Sequence, residues 1–296
     1  MTRWGILSTA RIADRIVDGA RGTTEAEITA VGSRDLARAR AWADERGIEH
    51  AHGSYEELLA SDAVDAIYIG LPNSMHVEWS IRALQAGKHV LSEKPLTRHP
   101  AEVERAFDAA DAAGRVLMEA FMWRFHPQTE EVVRLVRDGA IGELRLIRAA
   151  FGFNLPWLEN VRWDTSLDGG ALMDVGCYCV SAARLIAGTE PERVSGEQVL
   201  GGDGGVDARF TGLLRFPGDV LATLDCGMDV HRRNQLEVVG SEGTLFVPSP
   251  WQTPLGARIE LTRGDEREVL EPEAVDPYTR ELEEFGRAAA GGPPPR

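Results

Sequence analysis

The chain has 296 residues, 43 % of them hydrophobic and 27 % charged, with three cysteines and a net charge of −15. That is room for two domains with their own cores, and the acidic balance argues against nucleic acid or an anionic membrane as the main partner. Cys177, Cys179 and Cys226 are too few and too oddly spaced for a disulfide framework, and with no further ligands at short spacing no metal site is expected.

Residues 3 to about 120 alternate short apolar strands with amphipathic helices. Trp4 to Leu7 is a strand, "RIADRIVDGA" a helix, Glu27 to Gly32 a strand, and Asp35 to Gly47 a helix closed by glycine. Ser54 followed by Glu57 marks a capping box. The strand "AIYIG", a helix from about His76 to Gly87, the strand "HVLS", the helix "PAEVERAFDAADAAG" and the strand "RVLME" complete the series. Such alternation implies a doubly wound parallel sheet with helices on both faces.

After Ala120 the pattern changes. A helix from about Pro127 to Asp138 precedes the long strand "GELRLIRAAFGF" and the Gly-rich helix start "LDGGALMDVGCYCVSAARLIAG". From about Val194 to Leu270, strands punctuated by "GGDGG", "FPGD" and "GSEG" predict an open, mostly antiparallel sheet. "YTRELEEFGRAAAG" is a final helix, and "GGPPPR" reads as the start of a linker rather than a natural finish. The predicted domains are 1–120 and 121–296. No run of about 20 apolar residues and no cationic leader are seen, so the cytoplasm is the expected compartment.

In a doubly wound sheet the first strand, its turn and the next helix receive a dinucleotide pyrophosphate. The turn here is Ser8, Thr9, Ala10, Arg11 and Ile12, and small residues at Ser8, Ala10 and Ala13 replace the three fingerprint glycines. The second strand ends on Ser33 and Arg34, with Arg38 one turn on and Asp35 read as a helix-start residue. Cations without a terminal acid favour the 2′-phosphate of NADP over NAD.

"GILSTARIA", "SRDLARARAWA", "LPNSMHVEW", "AGKHVLSEKPLT", "EAFMWRFHPQ" and "GGALMDVGCYCV" together resemble the Gfo/Idh/MocA oxidoreductases, in particular their NADP-dependent D-xylose dehydrogenase and dimeric dihydrodiol dehydrogenase branch. The resemblance implies an N-terminal Rossmann domain and a C-terminal α+β domain whose open sheet forms dimer contacts. It also implies that Lys94 of the Glu-Lys-Pro triplet stands beside the nicotinamide, that Leu71, Asn73 and His76 line the cofactor, and that Glu93 contacts its ribose. The motif glycines Gly169, Gly170 and Gly176 introduce Asp174 and Tyr178, the tyrosine standing where many relatives carry histidine.

Oxidising a secondary alcohol or a sugar hemiacetal requires a hydride acceptor and a base for the hydroxyl proton. Tyr178 supplies a phenolic oxygen whose reference value of about 10 is too high for a base at neutral pH, unless a nearby cation lowers it. Lys94 is such a cation. Only two of the 32 basic residues, Lys88 and Lys94, are lysine, and an ammonium can shuttle a proton that a guanidinium keeps. Asp174, four residues before Tyr178 on one helix face, could orient the hydroxyl. Trp123 and Arg124 at the domain junction are candidate substrate contacts, while core packing accounts for Phe125. The expected substrate is a sugar, polyol or dihydrodiol. A cofactor-sensing regulator of the same fold would not need the Lys94 and Tyr178 pair, and an NAD-dependent glycosidase would prefer an acid where Ser33 and Arg34 stand.

Overall fold

A computed structural model describes residues 1–156, 160–201, 205–252 and 256–294. The centre of the "GGDGG" turn and the last two residues of "GGPPPR" lie outside the described residues. The chain forms two compact units, Met1–Met122 with Asp276–Arg296, and Trp123–Val275.

The first unit runs β1 (Thr2–Leu7), α1 (Ala13–Arg21), β2 (Ala26–Gly32), α2 (Leu36–Arg46), β3 (His50–His52), α3 (Tyr55–Leu59), β4 (Ala66–Ile69), α4 (His76–Gln85), β5 (His89–Glu93), α5 (Pro100–Ala113) and β6 (Leu117–Ala120). Its strands are all parallel in the order β3-β2-β1-β4-β5-β6. The order reverses between β1 and β4, and ligands of such sheets bind beyond the strand carboxyl ends at that point. Every residue of β4 is buried, which is why this strand is a continuous apolar run rather than an alternating one.

Local chemistry sets the helix ends. Asp35 accepts hydrogen bonds from the N–H groups of Ala37 and Arg38, capping α2. Ser54 accepts from the N–H of Glu57, whose carboxylate in turn accepts from the N–H of Gly53 at 2.9 Å. α2 stops at Gly47, whose φ of 71° is open to glycine at little cost.

The second unit contains α6 (Pro127–Arg137), β7 (Leu144–Asn154), a π turn at Leu172–Gly176 leading into α7 (Cys177–Ala187), then β8 (Arg193–Gly201), β9 (Val206–Arg215), β10 (Leu221–Gly227), β11 (Asp229–Gly240), β12 (Thr244–Val247), β13 (Ile259–Arg263) and β14 (Glu266–Leu270). The eight strands lie in the order β14-β13-β12-β11-β7-β10-β9-β8, antiparallel except for the β7–β10 pair. One face is covered. Along β9, Val206, Ala208, Gly212 and Leu214 are buried while Arg209, Thr211 and Leu213 face outward. β8 is exposed nearly throughout, with Val194, Val199 and Leu200 open to solvent.

The stretch Thr165–Ala187 is long and apolar enough to pass a membrane-span test, and more than half of it is buried. It carries Asp168, Asp174 and Arg184 and serves as the central helix of this unit. All three cysteines are free, and burial raises the thiols of Cys179 and Cys226.

The final helix, α8 (Pro277–Ala289), belongs to the first unit rather than to the 121–296 domain expected from the sequence. Thr279 donates to the carbonyl of Gly19 at 2.8 Å, and Phe285 packs on Trp4 with ring centroids 4.8 Å apart. Both rings are fully buried. A side chain at Gly19 would collide with the Tyr278 backbone and Cβ, so the glycine lets α8 approach α1.

Candidate active site

The strand carboxyl ends of the first unit bring together the turns that the sequence assigned to a dinucleotide. After β1, Ser8 has φ of 108°, a conformation glycine favours and one that costs another residue about 1–3 kcal/mol. The backbone thus keeps a glycine shape at the first fingerprint position while the side chain differs. The Ser8 hydroxyl donates to the carbonyl of Gly70 at 3.0 Å and accepts from the N–H of Ala10 at 3.3 Å. Ala13 is fully buried at the third fingerprint position, Thr9, Ala10 and Ile12 are half-buried, and Arg11 is exposed.

After β2, Ser33 is buried and its N–H donates to the carbonyl of His52 at 3.1 Å. Arg34 and Arg38 are exposed, and both guanidiniums pull down the phenol of Tyr55, against the larger opposite effect of its burial. The carboxylate of Asp35 is occupied by the α2 cap, as expected. The end of β2 therefore offers two cations and a hydroxyl, a donor set that fits a phosphate.

The Glu93-Lys94-Pro95 turn follows β5, and its Lys94–Pro95 peptide is cis. Tyr68 donates its hydroxyl to Glu93 Oε1 at 2.6 Å, and the N–H of Leu96 donates to Glu119 Oε1 at 2.7 Å. Burial first and Glu93 second hold the Tyr68 phenol well above its ordinary value. Glu281 of α8 is fully buried with no hydrogen-bond partner on either carboxylate oxygen. Burial, and then the charge of Glu93, push its carboxyl well above the usual range. The second lysine has a separate role: Lys88 donates to the carbonyls of Ser61 at 2.8 Å and Val64 at 2.9 Å. Its pKa is lowered, chiefly by burial.

In the second unit, the glycine pair starts the π turn where space is short. A side chain at Gly169 would meet the carbonyl of Arg162, and one at Gly170, which has φ of 119°, would meet Asp207. Asp207 accepts from the N–H of Leu172 at 2.6 Å. Asp174 and Tyr178 are both buried and span the junction of the π turn with α7, where a regular α-helix was predicted. π turns of this kind are frequent at functional sites. The Asp174 carboxylate accepts from Arg162 Nε at 2.8 Å, a pairing with no signal in the sequence because it joins the short 3-10 turn Val161–Trp163 to a separate element. The Tyr178 ring packs edge-on against Phe151 at 5.2 Å and against Trp251 at 6.0 Å, which fixes its orientation.

Two of the expected contact residues are buried. The side chain of His76 has both ring nitrogens facing backbone carbonyls, Nδ1 at 2.8 Å from Pro95 and Nε2 at 2.7 Å from Leu71. Trp123 is 1 % exposed and packs edge-on against Trp251 at 5.2 Å. Large aromatic rings gain much by such burial. Phe125 is core, as expected, while Arg124 and Asn73 are half-buried and Leu71 is buried.

Residues 2–121 match the oxidoreductase family with an NAD-binding Rossmann fold, and residues 129–246 match the GFO/IDH/MocA C-terminal domain. The chain is 43 % identical over 296 residues to D-xylose 1-dehydrogenase (NADP(+)) 2 of Haloferax volcanii, covering 99 % of this chain and 90 % of the relative. It is 35 % identical to the trans-1,2-dihydrobenzene-1,2-diol dehydrogenase of Xenopus laevis, covering 93 % and 83 % of the two chains. A 3-ketoreductase from Actinomadura kijaniata, solved with NADP and TDP-benzene, superposes with a TM-score of 0.90 at 34 % identity, covering 100 % of this chain and 91 % of the other. Sequence, fold and turn geometry agree: the chain belongs to the Gfo/Idh/MocA family of oxidoreductases.

Proposed function

We propose that this NADP-dependent oxidoreductase acts on a secondary alcohol or hemiacetal carbon of a sugar, polyol or dihydrodiol, with Lys94 and Tyr178 handling the proton. The observation that carries the reading is the Lys94 turn at the carboxyl end of β5, tied to neighbouring elements through Glu93 and Leu96. NADP, when bound, accepts or returns the hydride. Ser33, Arg34 and Arg38 hold its 2′-phosphate, Ser8 to Ile12 its pyrophosphate, and Glu93 its ribose. Leu71 and Asn73 line the rest. Tyr178 takes the hydroxyl proton, and the Lys94 ammonium stabilises both the phenolate and the reacting oxygen. Asp174, already engaged by Arg162, orients the hydroxyl rather than taking its proton. Arg124 contacts the substrate.

Support comes from the relatives named above. The 3-ketoreductase has also been solved as a tyrosine-to-phenylalanine and a lysine-to-alanine variant, at two positions separated by the same number of residues as Lys94 and Tyr178. The enzyme works in the cytoplasm as a homodimer joined through the outer face of the second unit's sheet, a reading favoured by the exposed Val194, Val199 and Leu200 of β8. A monomer by light scattering at micromolar concentration would remove the dimer.

The deciding experiment assays sugars, polyols and dihydrodiols with NADP and NAD in parallel, then repeats the best pair with Lys94→Ala, Tyr178→Phe and both together. Each single change should abolish most turnover, and the double should be little worse, because the two groups act as a unit. Lys94→Arg preserves charge but not proton transfer, and should lose ~100-fold or more in turnover. Normal turnover by Lys94→Arg or Tyr178→Phe would disprove the mechanism.

A further inference from the structure

The turn that carries Lys94 is held by side chains from three elements of the first unit. Tyr68 of β4 reaches Glu93, Glu119 of β6 reaches Leu96, and His76 at the start of α4 reaches the carbonyl of Pro95 at 2.8 Å. His76 also reaches elsewhere. Its other ring nitrogen lies 2.7 Å from the carbonyl of Leu71, just past the end of β4. A single imidazole thus joins the turns that follow two neighbouring strands.

An ordinary buried histidine offers one N–H to an acceptor and one lone pair to a donor. Here the ring lies between two backbone carbonyls, each within hydrogen-bond distance of one of its nitrogens, so that whichever nitrogen carries the N–H the imidazole spans both turns. Burial first, with Lys94 adding to it, holds the imidazole below its ordinary value against the opposing pull of the two carbonyls. A residue that merely filled space would not require two carbonyls to converge on it.

We infer that His76 is a positioning residue for Lys94, cross-linking the backbone on either side of the site so that the ammonium is presented from a fixed turn. The inference rests on the reading of Lys94 as the group that acts on the reacting oxygen. Displacing a reacting group by about 1 Å can cost on the order of 100-fold in rate, so the link need not touch substrate to matter.

The test uses the full chain with His76→Ala and His76→Gln, each alone and combined with Lys94→Ala. Folding is checked by circular dichroism and cofactor binding by titration with NADP. His76→Ala should lower kcat by ~10- to 100-fold while leaving the substrate KM within about threefold. His76→Gln keeps a donor for one carbonyl and should recover part of the loss. In the Lys94→Ala background, under single-turnover conditions, His76→Ala should add no further loss, because its effect passes through the lysine. An equal loss in both backgrounds, a change in KM alone, or unchanged kcat would overturn the inference. If His76→Ala does not fold, His76→Gln carries the same comparison. Failure of the underlying reading looks different: Lys94→Ala would turn over normally with His76 intact.

Discussion

Glu281→Gln should make the protein more stable as the pH rises. The wild-type carboxyl is fully buried on α8, lacks a hydrogen-bond partner on both oxygens, and has its pKa raised by burial first and the nearby Glu93 second. The folded chain therefore keeps a proton that the unfolded chain releases above about pH 4.3. Because the folded state binds more protons over that range, stability is fullest below the unfolded value and declines roughly tenfold in the folding equilibrium per pH unit until the folded value is reached. Glutamine has nearly the same shape, also lacks partners there, and does not titrate. Near pH 4.5 the two proteins should be similarly stable; at pH 7.5 the variant should lead by at least about 1 and at most roughly 4 kcal/mol, the ceiling being the full span of linkage from the unfolded value. Urea titrations at several pH values between 4.5 and 8 would measure this as a widening gap in midpoint. Curves that stay parallel across that range, or a variant less stable throughout, would show Glu281 to be ionised and compensated.

The turn at Ser8 makes a second prediction. Ser8→Ala keeps the positive φ and loses both hydroxyl contacts, costing ~1 kcal/mol or more in thermal unfolding, whereas Ser8→Gly relieves the backbone while losing the same contacts and should be close to neutral. Arg34→Ala should weaken NADP binding by ~1.5 to 3 kcal/mol in a calorimetric titration and leave NAD little changed, since the lost contact is to a charged phosphate. Equal losses for the two cofactors would place Arg34 elsewhere.

What could be read from the chain depended on whether the signal was local. Hydrophobic period and caps are local, so the strand-helix alternation, the Asp35 cap and the Ser54 box were visible in advance. β3 was not, because His50–His52 is a three-residue edge strand with no apolar alternation. The amphipathic pattern of α8 announces a helix but cannot say which sheet buries it, and its partners Gly19 and Trp4 lie far away in sequence. The same limit applies to the site. The Glu-Lys-Pro triplet and the glycine-rich helix start could be seen, while the salt bridge from Arg162 to Asp174 and the double engagement of His76 arise only when distant backbone segments meet.

Because α8 lies in the first unit, that unit is closed by residues that follow the whole of the second. During translation, at about 5–20 residues per second, Trp4 and its neighbours wait on the order of tens of seconds for Phe285 to emerge. Over that interval the nascent parallel sheet displays an apolar face that the finished protein never shows. Premature termination just before Asp276 would therefore injure the unit already made, not the one most recently synthesised. A chaperone that recognises exposed apolar surface would have its clearest target on the emerging chain at the β1 and α1 face, between synthesis of Val275 and docking of Phe285.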